Sequence, residues 1–152
     1  MNVAFFTEGG YNGKVFRDYP DMRTDLAWIC ALNADHWNLK QTPNQNYDLG
    51  IVIIPKKNPQ FDIDHLKKFC TKLAVMQEGP NWYWQDYPLD QQIWYYNLIQ
   101  EADFMFVHNK ADKRYYQGLT GKECRILPSL MIEDVIDNHT LTNESDRMGV
   151  II

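Results

Sequence analysis

Apolar residues along this chain fall into short unbroken runs, separated by stretches where they recur at helical spacing. Residues 2–7 open with a buried-strand pattern that passes straight into the glycine-rich turn Glu8-Gly9-Gly10-Tyr11-Asn12-Gly13. Met22, Leu26, Ile29 and Cys30 share one face of a helix predicted over about 21–34. Residues 37–41 predict a short strand closed by Pro43. The run 49–54 predicts a stronger one, apolar without alternation, as suits a parallel strand covered on both faces. Ile63, Leu66, Phe69 and Cys70 mark a further helix, and 72–77 a strand ending at Glu78-Gly79-Pro80. Pro88 suits a first helical position, where its missing N–H is not needed. Leu89, Ile93, Tyr96 and Ile99 carry the apolar stripe of that helix to about Glu101. A strand at 103–107, a helix at about 110–118 ending near Gly118 or Gly121, and a strand at 124–127 stopped by Pro128 complete the series.

Strands alternate with helices and no hairpin signal intervenes, a pattern that demands parallel strands joined by crossovers. The expected fold is an α/β, Rossmann-like, three-layer α/β/α domain over 1–136 with a mostly parallel sheet of about six strands. The polar stretch 137–146 has no periodicity and reads as a linker. Arg147-Met148-Gly149-Val150-Ile151-Ile152 reads as a strand whose partners lie outside the sequence. Residues 137–152 are therefore expected to be a linker and the beginning of a missing second domain. An edge strand completing the same sheet is the competing reading.

Composition narrows the function classes. The 152 residues suit one domain, and 45% hydrophobic content suits a packed core. A formal charge of −5 argues against a general nucleic-acid or membrane-surface binder. Cys30, Cys70 and Cys124 lack zinc spacing and read as reduced core residues, Cys30 and Cys70 on helical faces. No metal site is expected. The absence of a signal-peptide pattern and of a long apolar run gives the expectation of a cytoplasmic protein without a membrane span.

In an open parallel sheet, ligands lie beyond the carboxyl ends of the strands. Those ends carry Glu8, Gly9, Gly10 and Tyr11; Glu78 and Gly79; His108, Asn109 and Lys110; and Ser129. The glycine-rich turn matches neither a dinucleotide fingerprint nor a P-loop, and no nucleophile elbow is present. What it offers is close approach to the backbone. His108 follows its strand directly and is a candidate general base, against the ordinary reading of a histidine that satisfies a loop. Glu78 is a candidate for contact with a substrate hydroxyl, against that of a surface glutamate. His36 and His65 read as helix-end and helix-surface residues. The aromatic segment 82–96 includes Trp82, Trp84, Trp94 and Tyr95. With Ile93 and Tyr96 supplying the buried stripe, Trp94 and Tyr95 are expected to point elsewhere. Sugar stacking, contact with a second domain and a homodimer surface are the three readings of that segment.

The stretch from Gln100 to Asp112, Gln100-Glu101-Ala102-Asp103-Phe104-Met105-Phe106-Val107-His108-Asn109-Lys110-Ala111-Asp112, resembles the "ADLVIVNSEA" step of GT-B glycosyltransferases of the group 1-like kind. Cys124-Arg125-Ile126-Leu127-Pro128-Ser129-Leu130 is similar to the end of their first domain, and Phe5-Phe6-Thr7-Glu8-Gly9-Gly10 to the loop after their first strand. The resemblance implies the acceptor-side half of a hexosyltransferase-like enzyme that is inactive alone. A nucleotide-sugar would be the donor and co-substrate, a hydroxyl compound the acceptor, and no separate cofactor would be used. His108 and Glu78 would be the catalytic candidates. Glu8, Gly9, Gly10, Tyr11, Gly79, Trp82, Asn109, Lys110 and Ser129 would contact substrate. The alternative is a non-catalytic binding module that uses 82–96 as a partner or dimer interface.

Overall fold

In the computed structural model the described residues are 1–10, 13, 24–55, 61–77 and 81–130, with the side chains of Thr24, Trp82 and Tyr83 left out. Six strands, β1 (Val3–Thr7), β2 (Asp35–Asn38), β3 (Tyr47–Ile54), β4 (Cys70–Gln77), β5 (Phe104–Val107) and β6 (Cys124–Ile126), form one sheet in the order β2-β1-β3-β4-β5-β6. Every pairing is parallel. The helices are α1 (Thr24–Ala31), α2 (Ile63–Lys67), α3 (Trp82–Gln85), α4 (Leu89–Glu101) and α5 (Lys110–Thr120). The predicted linker at 137–146 and the terminal run at 147–152 lie outside the described residues.

The strand order explains the layers. From β1 the chain steps one way to β2, then passes back across β1 and steps the other way from β3 to β6. Right-handed crossovers taken in opposite directions must put their helices on opposite faces. Val3, Phe5, Ile51 and Ile53 accordingly pack against Leu26, Trp28 and Ile29 of α1. Ala4, Phe6, Val52 and Val75 face the other way, against Leu66, Leu98, Ile99 and Tyr116 of α2, α4 and α5. Alternate residues of β1 and β3 are thus buried on both sides, which is why these runs show no polar alternation. The result is the three-layer α/β arrangement.

The helix-free return from β2 to β3 is held by side chains. The Tyr47 hydroxyl donates to Asp35 Oδ2 at 2.6 Å, Gln45 Nε2 donates to the same oxygen at 2.7 Å, and Trp37 Nε1 donates to Tyr47 Oη at 2.7 Å. Burial and the Asp35 carboxylate raise the Tyr47 pKa, so the phenol keeps its proton and remains a donor.

Several boundaries differ from the sequence reading. The helix from Ile63 ends at Lys67, and Cys70 opens β4 opposite Tyr47 instead of closing a helix. The eight-residue ladder with β3 outweighs one further helical turn. The second strand is Asp35–Asn38, not 37–41, and His36 lies buried inside it. Pro88 is the N-cap of α4 rather than its first residue. The larger correction concerns the face of α4. Tyr95, Leu98 and Ile99 are buried, whereas Ile93 and Tyr96 are 52% and 39% exposed. Two overlapping apolar stripes exist on this helix. The packed one contains Tyr95, whose hydroxyl reaches the Pro55 carbonyl at the end of β3, at 2.6 Å. Trp84 is likewise core, and Trp94 packs edge-on to Phe61.

Asp103 ties the turn before β5 to β4. Its carboxylate accepts from Lys72 Nζ and from the Leu73 N–H, both at 2.8 Å. The Lys72 bond, then the Leu73 bond, lower the Asp103 pKa. A depressed folded-state pKa stabilises the fold above the unfolded value near ~3.9, and that contribution is lost as pH falls through the folded value. Asp103→Asn is expected to cost about 1 kcal/mol at neutral pH. The gap between wild type and variant should close below about pH 4 in urea titrations. A gap that persists at low pH would assign the effect to packing.

Candidate functional site

The carboxyl edge of the sheet collects the ends of β1, β3, β4, β5 and β6, and the strand order reverses between β1 and β3. Ligands of doubly wound sheets sit outside such an edge, at such a reversal.

At β1 the turn is built against the protein itself. Gly10 lies so close to β2 that a Cβ there would stand 1.9 Å from both the carbonyl carbon and the oxygen of Trp37. Gly13 has φ +80°, and a Cβ on it would meet the Trp37 ring at 2.7 Å. Asn38 Nδ2 donates to the Glu8 carbonyl at 2.7 Å, and the Gly9 N–H donates to Thr7 Oγ1 at 3.2 Å. The close approach expected of this turn is therefore made to Trp37. The same Thr7 hydroxyl bonds His36 Nε2 at 2.7 Å inside the core.

At β5, His108 is half-buried. Its ring stacks on Trp28 of α1, with centroids 5.3 Å apart and planes within 8°. Its Nδ1 lies 3.3 Å from the Leu127 carbonyl, which only an N–H can satisfy, so that nitrogen carries the proton and Nε2 is left as the basic one. Trp28 Nε1 donates to the Pro128 carbonyl at 2.8 Å. The pair thereby holds the chain leaving β6 against α1 and the end of β5. Trp28→Phe keeps most of the stack and removes the indole donor. It should cost about 1–2 kcal/mol in denaturant unfolding, and an unchanged midpoint would show that the Pro128 bond contributes nothing.

Asn109 caps α5: its Oδ1 accepts from the Asp112 N–H at 2.9 Å, while its Nδ2 donates to Asp112 Oδ2 at 2.6 Å. The other Asp112 oxygen accepts from the Asn81 N–H at 3.3 Å, fixing the start of α3 on α5. Lys110 and Ser129 are exposed. The Tyr116 hydroxyl donates to Gln77 Oε1 at the end of β4. Burial, then the nearby Asp112 charge, push its pKa above the ordinary phenol range. Tyr95 is raised too, by burial first, then by Tyr87, with a smaller contribution from Glu8. Both phenols are neutral donors at neutral pH. They form a rigid floor of aromatic rings and satisfied polar groups beneath the edge, with Trp84 edge-on to Tyr95 at 5.2 Å.

The predicted residues thus share one edge but not one point. Between Glu8 and His108 the sheet interposes β3 and β4, a span of roughly 14 Å at ~4.8 Å per strand. His108, Asn109 and Lys110 form one group with the β6 exit and Ser129, whereas Glu8, Gly9 and Gly10 form another with Tyr95 nearby. Tyr11, Glu78 and Gly79 lie outside the described residues, and Trp82 lies in α3. Trp28 and the Tyr95–Tyr116 floor escaped the sequence reading. A lone Trp in α1 carries no local sign that it will meet a histidine eighty residues later.

Among the described residues no group of three or more His, Cys, Asp and Glu is placed to hold a metal ion, and no helix is long and apolar enough to cross a membrane. All three cysteines are free thiols, and burial pushes Cys70 up to about 12. Comparison with protein families, with curated proteins and with solved structures finds no match to this chain.

Proposed function

We propose that this chain is the acceptor-side domain of a GT-B-type glycosyltransferase. A hydroxylated acceptor would lie along the carboxyl edge, and a nucleotide-sugar would be presented by a facing domain. The observation that carries this reading is His108. The Leu127 carbonyl fixes its tautomer and Trp28 fixes its ring plane, leaving Nε2 as a proton acceptor at the end of β5. In the reaction Nε2 takes the acceptor hydroxyl proton and the oxygen forms a bond to the anomeric carbon. The bond from that carbon to the phosphate oxygen breaks, and the nucleoside diphosphate leaves with the electron pair. The ~14 Å between Glu8 and His108 suits an acceptor longer than one sugar ring. A net negative chain is compatible with a neutral acceptor and a donor whose phosphates are held elsewhere.

The test has two arms. Methyl glycosides titrated into the chain should shift the NMR amide signals of Glu8, His108 and Asn109. The protein that carries this domain should release nucleoside diphosphate from UDP-glucose, UDP-galactose or GDP-mannose faster when a hydroxylated acceptor is added. Silent amides at this edge and no acceptor-dependent release would together sink the reading.

A further inference from the structure

The outer surface of α4 and α5 is apolar where the sheet does not need it to be. Leu89, Ile93 and Tyr96 recur at i, i+4 and i+7 on the solvent side of α4, 71%, 52% and 39% exposed, and Leu119 of α5 is 44% exposed. Both helices descend from the carboxyl edge and run side by side. Gln100 Nε2 donates to the Thr120 carbonyl at 2.6 Å, which brings their C-terminal ends together. Their exposed charges differ in sign. The first turn of α4 and the turn before it carry Asp90 and Asp86, whereas the first turns of α5 carry Lys110 and Arg114. Among the described residues none of these four forms an ion pair.

We infer that this face binds a second copy of this chain. A twofold axis running along the groove between α4 and α5 lays α4 of each copy on α5 of the other. Such an axis preserves height along the helices, so first turns meet first turns. Asp90 then faces Arg114 and Lys110 of the partner copy, twice by symmetry. The apolar stripe lies along the axis and covers itself. A twofold axis across the helices inverts height instead and sets the Asp90 end of α4 on the Glu101 end of the partner copy's α4, acid on acid. At 13 residues α4 is ~20 Å long. Two helices at ~9 Å spacing give a face ~20 Å wide. That area falls below a standard interface, so the dimer is weak, concentration-dependent and loosened by salt. This inference does not depend on the catalytic reading, because the face lies on the helical layer and not on the carboxyl edge.

Sedimentation velocity of this chain, from micromolar to millimolar concentration, tests it. The wild type should pass from monomer to dimer. Ile93→Lys, at a site already half exposed and checked for folding by circular dichroism, should weaken the dimer at least about tenfold. Arg114→Glu should weaken it as well, and the swap Asp90→Lys with Arg114→Glu should restore it. A wild type that stays monomeric throughout, or a dimer indifferent to Ile93→Lys, overturns the proposal. Failure of the swap to restore a dimer that Arg114→Glu has weakened overturns the pairing and with it this orientation.

Discussion

On the proposed mechanism, replacing His108 by asparagine in the protein that carries this domain should lower glycosyl transfer by about 10²–10⁴-fold while leaving the fold standing. The choice of asparagine follows from the two jobs that the ring performs. Its Nδ1 donates to the Leu127 carbonyl, a task that the asparagine amide can take over from nearly the same position. Its Nε2 has no counterpart in asparagine, so the base is lost, together with the ring that stacks on Trp28. Alanine loses the donor to the Leu127 carbonyl as well and leaves more of the space beside Trp28 empty, so it should cost more stability than asparagine does. Comparing the two variants separates catalysis from the latch. If turnover drops in alanine but not in asparagine, His108 is a positioning residue and the base is elsewhere. If turnover survives both, the proposed mechanism fails. Substrate binding should change little in asparagine, because the proton is taken in the transition state.

Gly10→Ala should be the most damaging single methyl group in the described chain, costing about 3 kcal/mol or more in urea unfolding. The added carbon would overlap the main chain of Trp37, at 1.9 Å, and a main chain inside a paired strand cannot rotate away as a side-chain tip does. Relief would require β2 to part from β1 or the turn after β1 to rebuild. Either change disturbs the hydrogen bond from Asn38 to the Glu8 carbonyl. A cost below about 1 kcal/mol would show that the turn holds Gly10 less tightly against β2. Because the same turn contributes Glu8 and Gly9 to the carboxyl edge, the variant should also move their amide signals, even where unfolding is incomplete.

Much of the architecture was legible from local pattern. The runs in β1 and β3 lack polar alternation because both of their faces are covered, and alternation of strand with helix left parallel crossovers as the economical topology. The extent of α5 was readable too: the helix expected over about 110–118, ending near Gly118 or Gly121, runs from Lys110 to Thr120 and stops at Gly121, at φ +67°. The face of α4 was not readable. The expected stripe Leu89-Ile93-Tyr96-Ile99 and the packed one Tyr95-Leu98-Ile99 share Ile99, and distant partners of Tyr95, among them the Pro55 carbonyl forty positions upstream, go with the second. The site divides in the same way. Sequence placed Glu8, His108 and Asn109 at strand ends, yet it held no measure of how far apart those ends lie.

The sequence by itself determined that this chain would bury a parallel sheet under crossover helices, because burial pattern and turn chemistry act over a few neighbouring residues. Tertiary structure alone decided the strand order, the partner of His108 and the orientation of α4. Each of these depends on which distant groups meet, and the last two are held by buried or part-buried hydrogen bonds, to Pro55, Leu127 and Pro128, that no local window contains.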